Sequence, residues 1–211
     1  MSEAELLASK RRLRRALRRL ARPAGSAAQR CATAAMQHFA RSPELLHARQ
    51  VAIFAAFPDE MPTRPLFALL RRLGRTPLLP RARPGEALDF APLARWDELR
   101  RADFGLLEPP AAAPSVVLGP GDLVLVPGLG FDRRGRRLGR GGGHYDRTFP
   151  PGVSAPDLLA LAFSCQLVDE VPVGPHDRRM DGILTERGML RVAGVAGIAG
   201  ITGGWEAGDG R

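Results

Sequence analysis

One stretch constrains this chain more than any other: LVLVPGLGFDRRGRRLGRGGGHYD, from Leu123 to Asp146, in which an apolar run ends at Pro-Gly and leads into an arginine-rich turn, a glycine cluster and an acid. Val124, Leu125 and Val126 are β-formers in a run of the length expected for a strand buried on both faces, and Pro127-Gly128 marks its end. Chemistry is therefore expected at the strand's carboxyl end. Gly139, Gly141, Gly142 and Gly143 permit positive φ and close backbone approach, so amide N–H groups can converge on an anion while Arg136, Arg137 and Arg140 supply charge. Asp146 follows where a metal accompanying such a phosphate would need a carboxylate. Glycine runs by themselves are more often plain turns, and familiar nucleotide fingerprints fit badly. The spacing Gly139-x-Gly141-x-x-His144 lacks the third glycine of a dinucleotide motif, and the P-loop lysine is absent.

The rest of the chain alternates helices with strands. Residues 3 to 20 read as a basic amphipathic helix with Leu6, Leu13, Leu17 and Leu20 on one face and Arg11, Arg12, Arg15, Arg18 and Arg19 mostly on the other. Lys10 and Arg14 flank the leucine stripe and are expected to point towards the protein body. Pro23-Ala24-Gly25 breaks this helix, and Ser26 is placed to cap a second one over Ala27 to Ala40. Strands are expected at Val51 to Ala55, near Leu78-Leu79, at Leu123 to Val126 and at Leu158 to Phe163, with a helix over Pro65 to Leu73. The pattern implies a single-domain α/β fold: an open, mostly parallel sheet flanked by helices, with ligands at the strands' carboxyl ends.

At 211 residues and 45% hydrophobic composition, one buried core is the expectation. We assign residues 1–190 to it and 191–211 to a Gly/Ala-rich tail, in which Val195 to Ile201 is the one segment apolar enough to pack. No apolar run reaches the roughly eighteen residues of a membrane span, and the first thirty are too charged for a secretory signal. A soluble, cytoplasmic protein without a membrane partner is expected, and a monomer. Cys31 and Cys165 form no CxxC pair and are expected to be reduced, packed thiols. Net charge is +9, but residues 1 to 30 carry nine basic and two acidic side chains, which leaves about +2 for the remainder. Such a basic head raises the alternative of a nucleic-acid-binding module. No aromatic residues interleave with its arginines as stacking platforms, so no nucleic-acid partner is expected. Of the 31 basic residues, Lys10 is the single lysine. His38, His47 and His176 lack metal-ligand spacing and receive no role, and no G-x-S-x-G elbow is present.

The segment Pro127 to Asp146 closely resembles the signature PGLxFDxxGxRLGxGxGYYD of the 5-formyltetrahydrofolate cyclo-ligase family, departing at His144, where the family usually has tyrosine. Further segments resemble the same family in the same order: Lys10 to Arg14, Asp59-Glu60 with Thr63, and His176-Asp177 followed by Asp181 to Glu186. Weaker echoes lie at Pro80-Arg81, Phe104-Gly105, Glu108-Pro109 and Ala162-Phe163 with Gln166, so the likeness spans about residues 10 to 187.

The resemblance implies ATP-dependent conversion of 5-formyltetrahydrofolate to 5,10-methenyltetrahydrofolate with release of ADP and phosphate. It implies ATP contacts from Lys10, Arg11, Arg12, Leu13 and Arg14, and from Arg137, Leu138, Gly139, Arg140, Gly141, Gly142, Gly143, His144 and Tyr145. Arg140 and Lys10 are the implied catalytic cations. Ala55 and Glu60 would form the pterin side together with Arg140, Gly141 to Gly143 and His144, with Phe57 or Tyr145 as an apolar face. Asp146 and Asp177 would hold Mg²⁺, and Asp181 would be an outer support or a helix cap. A phosphate-binding α/β enzyme without ATP dependence is the remaining alternative. Lys10→Arg is expected to lower ATP affinity and rate, because a compact rotatable ammonium and a planar guanidinium present different donors to a terminal phosphate. Steady-state kinetics against ATP checks this.

Overall fold

Leu123–Val126 is buried at every position and faces two ways. Leu123 and Leu125 enter one apolar cluster, with Ile53, Leu70 and Phe163, while Val124 and Val126 enter another, with Phe131, Tyr145 and Ile183. A strand covered on both sides must sit inside a layered sheet, and it does. The computed structural model describes residues 2–102 and 105–192.

The chain opens with α1 (Glu3–Arg18), α2 (Gly25–Phe39) and α3 (Pro43–His47), then passes through β1 (Val51–Ala52), α4 (Arg64–Arg72), β2 (Leu78–Arg81) and β3 (Asp89–Pro92). An antiparallel pair, β4 (Arg100–Arg101) and β5 (Leu107–Glu108), precedes β6 (Leu123–Val126). Then come β7 (Gly130–Asp132), β8 (Arg137–Leu138), α5 (His144–Thr148), β9 (Asp157–Leu161), β10 (Leu167–Val168), β11 (Gly182–Thr185) and β12 (Gly188–Arg191). The main sheet has the order β12-β11-β9-β6-β1-β2-β3. Its five inner strands run parallel, and β12 and β3 lie antiparallel at the edges. The fold is the expected mixed α/β architecture with a mostly parallel sheet.

Local chemistry explains where the elements end. Ser2 and Glu5 form a capping box at α1, with the Glu5 amide 3.2 Å from Ser2 Oγ and the Ser2 amide 2.7 Å from Glu5 Oε2. This helix stops at Arg18, so Leu20 lies beyond it and is exposed, while Leu13 and Leu17 pack on Leu129, Leu138 and Val171. Ala24, rather than Ser26, is the N-cap residue of α2, and Ser26 instead accepts from Arg30 one turn on. Small buried residues, Ala28, Ala32 and Ala35, let α2 lie close against the sheet.

β1 is shorter than the apolar run that predicts it. Ile53 still donates to the Leu78 carbonyl at 2.8 Å, but Ala56 then donates to Thr63 Oγ1 at 3.1 Å and Phe57 to Glu60 Oε2 at 2.9 Å, so the chain closes a loop on itself. The arginine-rich turn after β6 is a hairpin, β7 with β8, in a small second sheet beside β10. Asp132, fully buried, organises it by accepting from the amides of Arg134, Arg136 and Val171. Asp181 caps no helix; its carboxylate accepts from the Leu158 amide at 2.7 Å and joins β11 to β9. Cys31 packs on the core, but Cys165 is exposed rather than packed. Phe104 and the expected tail with its Val195 to Ile201 segment lie outside the described residues.

Gly135, at the hairpin tip, has φ +74°, donates to Asp132 and accepts from the Met180 amide at 2.8 Å; a Cβ there would meet the Met180 carbonyl. Gly135→Ala therefore combines left-handed strain with a backbone collision. A loss of roughly 1–3 kcal/mol is expected from such strain, measurable as a lower urea midpoint with an unchanged m-value.

Candidate active site

The carboxyl ends of β1 and β6 are adjacent, because Val51 pairs with Leu123 and Ala52 with Val124 in parallel register. Each strand empties into a loop, and between these loops lies a cavity of about 320 Å³. α1 closes one side with Lys10 and Arg14, while residues 137 to 146 line the cavity without a gap. Ala55, Glu60 and Asp177, all expected, line it as well.

Three cations meet three sets of acids there. Lys10 Nζ lies 2.7 and 2.5 Å from the two oxygens of Asp177, whose Oδ2 also accepts from the Gly174 amide. Arg137, buried, donates through Nη2 to both oxygens of Asp146 at 3.1 and 3.0 Å, and the Arg178 amide adds a third bond to that carboxylate. Arg140 reaches Glu60 Oε1 through Nε at 3.1 Å and Asp59 Oδ1 through Nη2 at 2.5 Å, with its guanidinium 4.7 Å from the centre of the Phe57 ring. Arg14 donates to the Gly139 carbonyl at 3.0 Å and so pins the glycine loop to α1.

Burial sets the electrostatics. It pushes the Glu60 carboxyl above the usual glutamate value, with Arg140 opposing it. At Asp59 burial acts in the same sense, but Arg140 and Arg22 outweigh it and hold the group below its ordinary value. Burial, then the neighbouring Arg18, lower the Arg14 pKa, so an anion beside it would relieve an unfavourable position. Tyr145, enclosed with Arg137 5.5 Å from its ring centre, is raised well above the ordinary phenol by burial.

The glycine loop is shaped for close approach. Gly141 has φ +118° and Gly143 φ +67°, the latter forming the N-cap of α5, and a side chain at Gly139 would crowd the Arg137 guanidinium. His144 lines the cavity, its Nδ1 3.4 Å from Arg147 Nη2. Among the described residues no group of three His, Cys, Asp or Glu side chains could cage a metal. Asp146 and Asp177 are hard oxygen donors on one cavity, which fits a cation completed by phosphate and water rather than by protein.

Not every expected site residue arrives. Arg11 and Arg12 lie on the solvent face of α1, and Leu13 packs against the small core under that helix; none of the three lines the cavity. At one and two residues beyond Lys10, Arg11 and Arg12 are turned to solvent by helical periodicity, and Leu13 is taken up by the core under the helix. Arg136 is also directed elsewhere, to Glu170 at 2.7 Å and Asp132 at 3.6 Å, so it supplies no charge to the loop. Leu7, Phe54, Leu88, Leu106 and Leu107 line the cavity without having been expected. Leu7 was legible, being one turn before Lys10 on the same face. The leucines at 88, 106 and 107 reach the site through long connections whose course no local pattern reveals.

Comparison with known proteins finds relatives of this chain. A model of the 5-formyltetrahydrofolate cyclo-ligase family matches residues 6–186. The chain belongs to that family. A cyclo-ligase from Mycolicibacterium smegmatis is 38% identical over 151 residues, covering 68% of this chain and 77% of the relative. One from Escherichia coli is 33% identical over 147 residues, covering 68% and 81%. The NMR structure of Aquifex aeolicus 5,10-methenyltetrahydrofolate synthetase shares the fold, with a TM-score of 0.71 at 23% identity over 95% of this chain and 97% of that one. As a member of this family the protein is a ligase of folate one-carbon metabolism. Membership lends no support to a nucleic-acid module or to a phosphate-binding enzyme of another kind, and among the described residues no helix is long and apolar enough to cross a membrane.

Because Arg137 is buried while Asp146 is only partly so, Arg137→Leu would leave Asp146 with the Arg178 amide as its remaining partner. A loss of about 1–3 kcal/mol is expected from an orphaned polar group of this kind. A denaturation curve with a midpoint equal to wild type would contradict it.

Proposed function

We propose that the cavity binds ATP and 5-formyltetrahydrofolate together and closes the folate ring, giving 5,10-methenyltetrahydrofolate, ADP and phosphate. The observation that carries this reading is the meeting, on one cavity, of a cation-flanked glycine loop and a buried carboxylate: residues 137 to 146, Lys10 and Arg14 on one part, Glu60 and Ala55 on the other. A formamide oxygen is a poor leaving group. Transfer of the terminal phosphoryl to that oxygen makes it a good one; N10 then attacks the formyl carbon, the C–O bond breaks with loss of phosphate, and N10 gives up its proton to solvent.

The protein's part in such a sequence is positioning and charge stabilisation. Lys10 passes from Asp177 to a phosphate oxygen on ATP binding, and Arg14 offers its charge beside the loop it already pins. Amides of the glycine segment reach oxygens that side chains cannot. Arg140, carried on the glycine loop and paired with Glu60, is the transition-state cation, stabilising the negative charge on the transferring phosphoryl oxygens and on the departing ADP. Asp146 and Asp177 would hold Mg²⁺, which when bound would offset phosphate charge. Glu60, anchored by the Phe57 amide, turns Oε1 to the cavity to accept from the aminopyrimidinone edge, and Phe57 supplies an apolar face.

Purified protein with 5-formyltetrahydrofolate and Mg²⁺ is expected to develop the methenyltetrahydrofolate absorbance band only when ATP is added, and to lose it in Asp146→Ala. Band growth without ATP, or none at all from folded protein, would overturn the reading. The raised Glu60 pKa adds a pH signature, since accepting from the pterin requires the ionised form. The folate KM is expected to rise as pH falls through that value, which lies above the ordinary glutamate range, and Glu60→Gln to have a high KM without this limb.

A further inference from the structure

Arg140 faces two carboxylates that are not equivalent. Glu60 is buried, its Oε2 is taken by the Phe57 amide, and only Oε1 turns to Arg140. The Asp59 side chain is 44% exposed, yet it is fixed from behind. Its Oδ2 accepts from Arg22 Nη1 at 2.7 Å, and the same Nη1 donates to the Asp59 carbonyl at 3.1 Å. Arg22 is itself only 7% exposed and donates through Nη2 to the carbonyls of Leu17 at 3.1 Å and Leu129 at 3.4 Å. One guanidinium therefore ties the last turn of α1 and the loops after β1 and β6, and leaves Asp59 Oδ1 directed at Arg140.

This arrangement matters once substrate arrives. Both Nε and Nη2 of Arg140 now use Glu60 Oε1, at 3.1 and 3.0 Å, the same oxygen that the pterin edge would occupy. Substrate and Arg140 thus compete for one acceptor. When Arg140 yields it, Asp59 is the carboxylate that still holds the guanidinium. Without that contact a side chain already 35% exposed, carried on a glycine-rich loop, would be free to turn into water.

We infer that Asp59, oriented by Arg22, is the positioning residue that keeps Arg140 over the cavity while substrate occupies Glu60; this rests on the cyclo-ligase reading of the site. Neither Asp59 nor Arg22 lines the cavity, so their influence passes through Arg140 and the segments they join. Glu60 is then the exchangeable partner of Arg140 and Asp59 the permanent one.

A double-mutant cycle in the methenyl-band assay tests it, using Asp59→Asn, Arg140→Ala and the pair, with thermal midpoints recorded alongside. Asp59→Asn is expected to lower kcat by roughly tenfold to a hundredfold, as misplacement of a catalytic group does, with the KM for ATP and folate within about threefold of wild type. In the Arg140→Ala background the same change should have almost no further effect on kcat, because the group it positions is gone. Arg22→Gln should repeat the kcat loss, and Asp59→Glu should restore part of it. Additive effects of Asp59→Asn and Arg140→Ala, or a change confined to KM or to the thermal midpoint, would overturn the inference while leaving the cyclo-ligase reading intact. Absence of ATP-dependent product from wild type would remove both.

Discussion

Parallel pairing of Leu123–Val126 between Val51–Ala52 and Asp157–Leu161 is the constraint on which the rest of this structure depends. The pairing buries the strand on both faces and fixes the end at which its chain emerges. Two loops with nothing in common in sequence, Phe57 to Glu60 and the glycine segment, are thereby delivered to the same edge of the sheet. Neither loop could make the site alone. The first offers acids and an aromatic ring, the second amides and arginines, and their opposition turns composition into geometry.

That opposition also explains why so much charge can gather in one cavity. Three of the four Lys and Arg side chains that line the cavity are met by carboxylates, Lys10 by Asp177, Arg137 by Asp146, Arg140 by Asp59 and Glu60, while the fourth, Arg14, donates to the Gly139 carbonyl. Bringing buried ions together without such partners would be strongly unfavourable. These three pairs therefore fold already neutralised, and on the proposed reading ATP binding would be an exchange of partners at them, with Arg14 the cation left to meet the anion directly. The pairs differ in permanence. Arg137 is enclosed and holds Asp146 in place, whereas Lys10, somewhat more exposed, meets Asp177 from the end of a long unbranched stem.

Much of this was legible in the sequence, for identifiable reasons. The strand at Leu123 to Val126 announced itself through length and composition, and the inward bearing of Lys10 and Arg14 through their position beside the leucine stripe. Periodicity likewise placed Arg11 and Arg12 on the solvent face, where they lie, although the family resemblance implied ATP contacts from them. Other features had no local signal. The hairpin at Arg133 to Arg136 forms because Asp132 collects three amides, one from Val171 far along the chain, and this redirects Arg136 away from the glycine loop. The Val51 to Ala55 run ends its pairing early because Thr63 and Glu60 bond the next amides, a choice made by side chains several residues downstream. Leu106 and Leu107 reach the cavity by tertiary routing alone.

The attachment of α1 has a consequence for motion. Across its sixteen residues only Leu17 is buried, and a few polar contacts and the leucine flank hold the helix to the body, although it bears Lys10 and Arg14. An element with so little apolar burial belongs to the low end of the local stability range and can open without the sheet unfolding. On the proposed reading, the half of the cavity that takes the nucleotide would be completed by the docking of α1. Part of the interaction energy of a bound polyanion would then go into that docking, and slowed hydrogen exchange along α1 would be the trace such a ligand leaves.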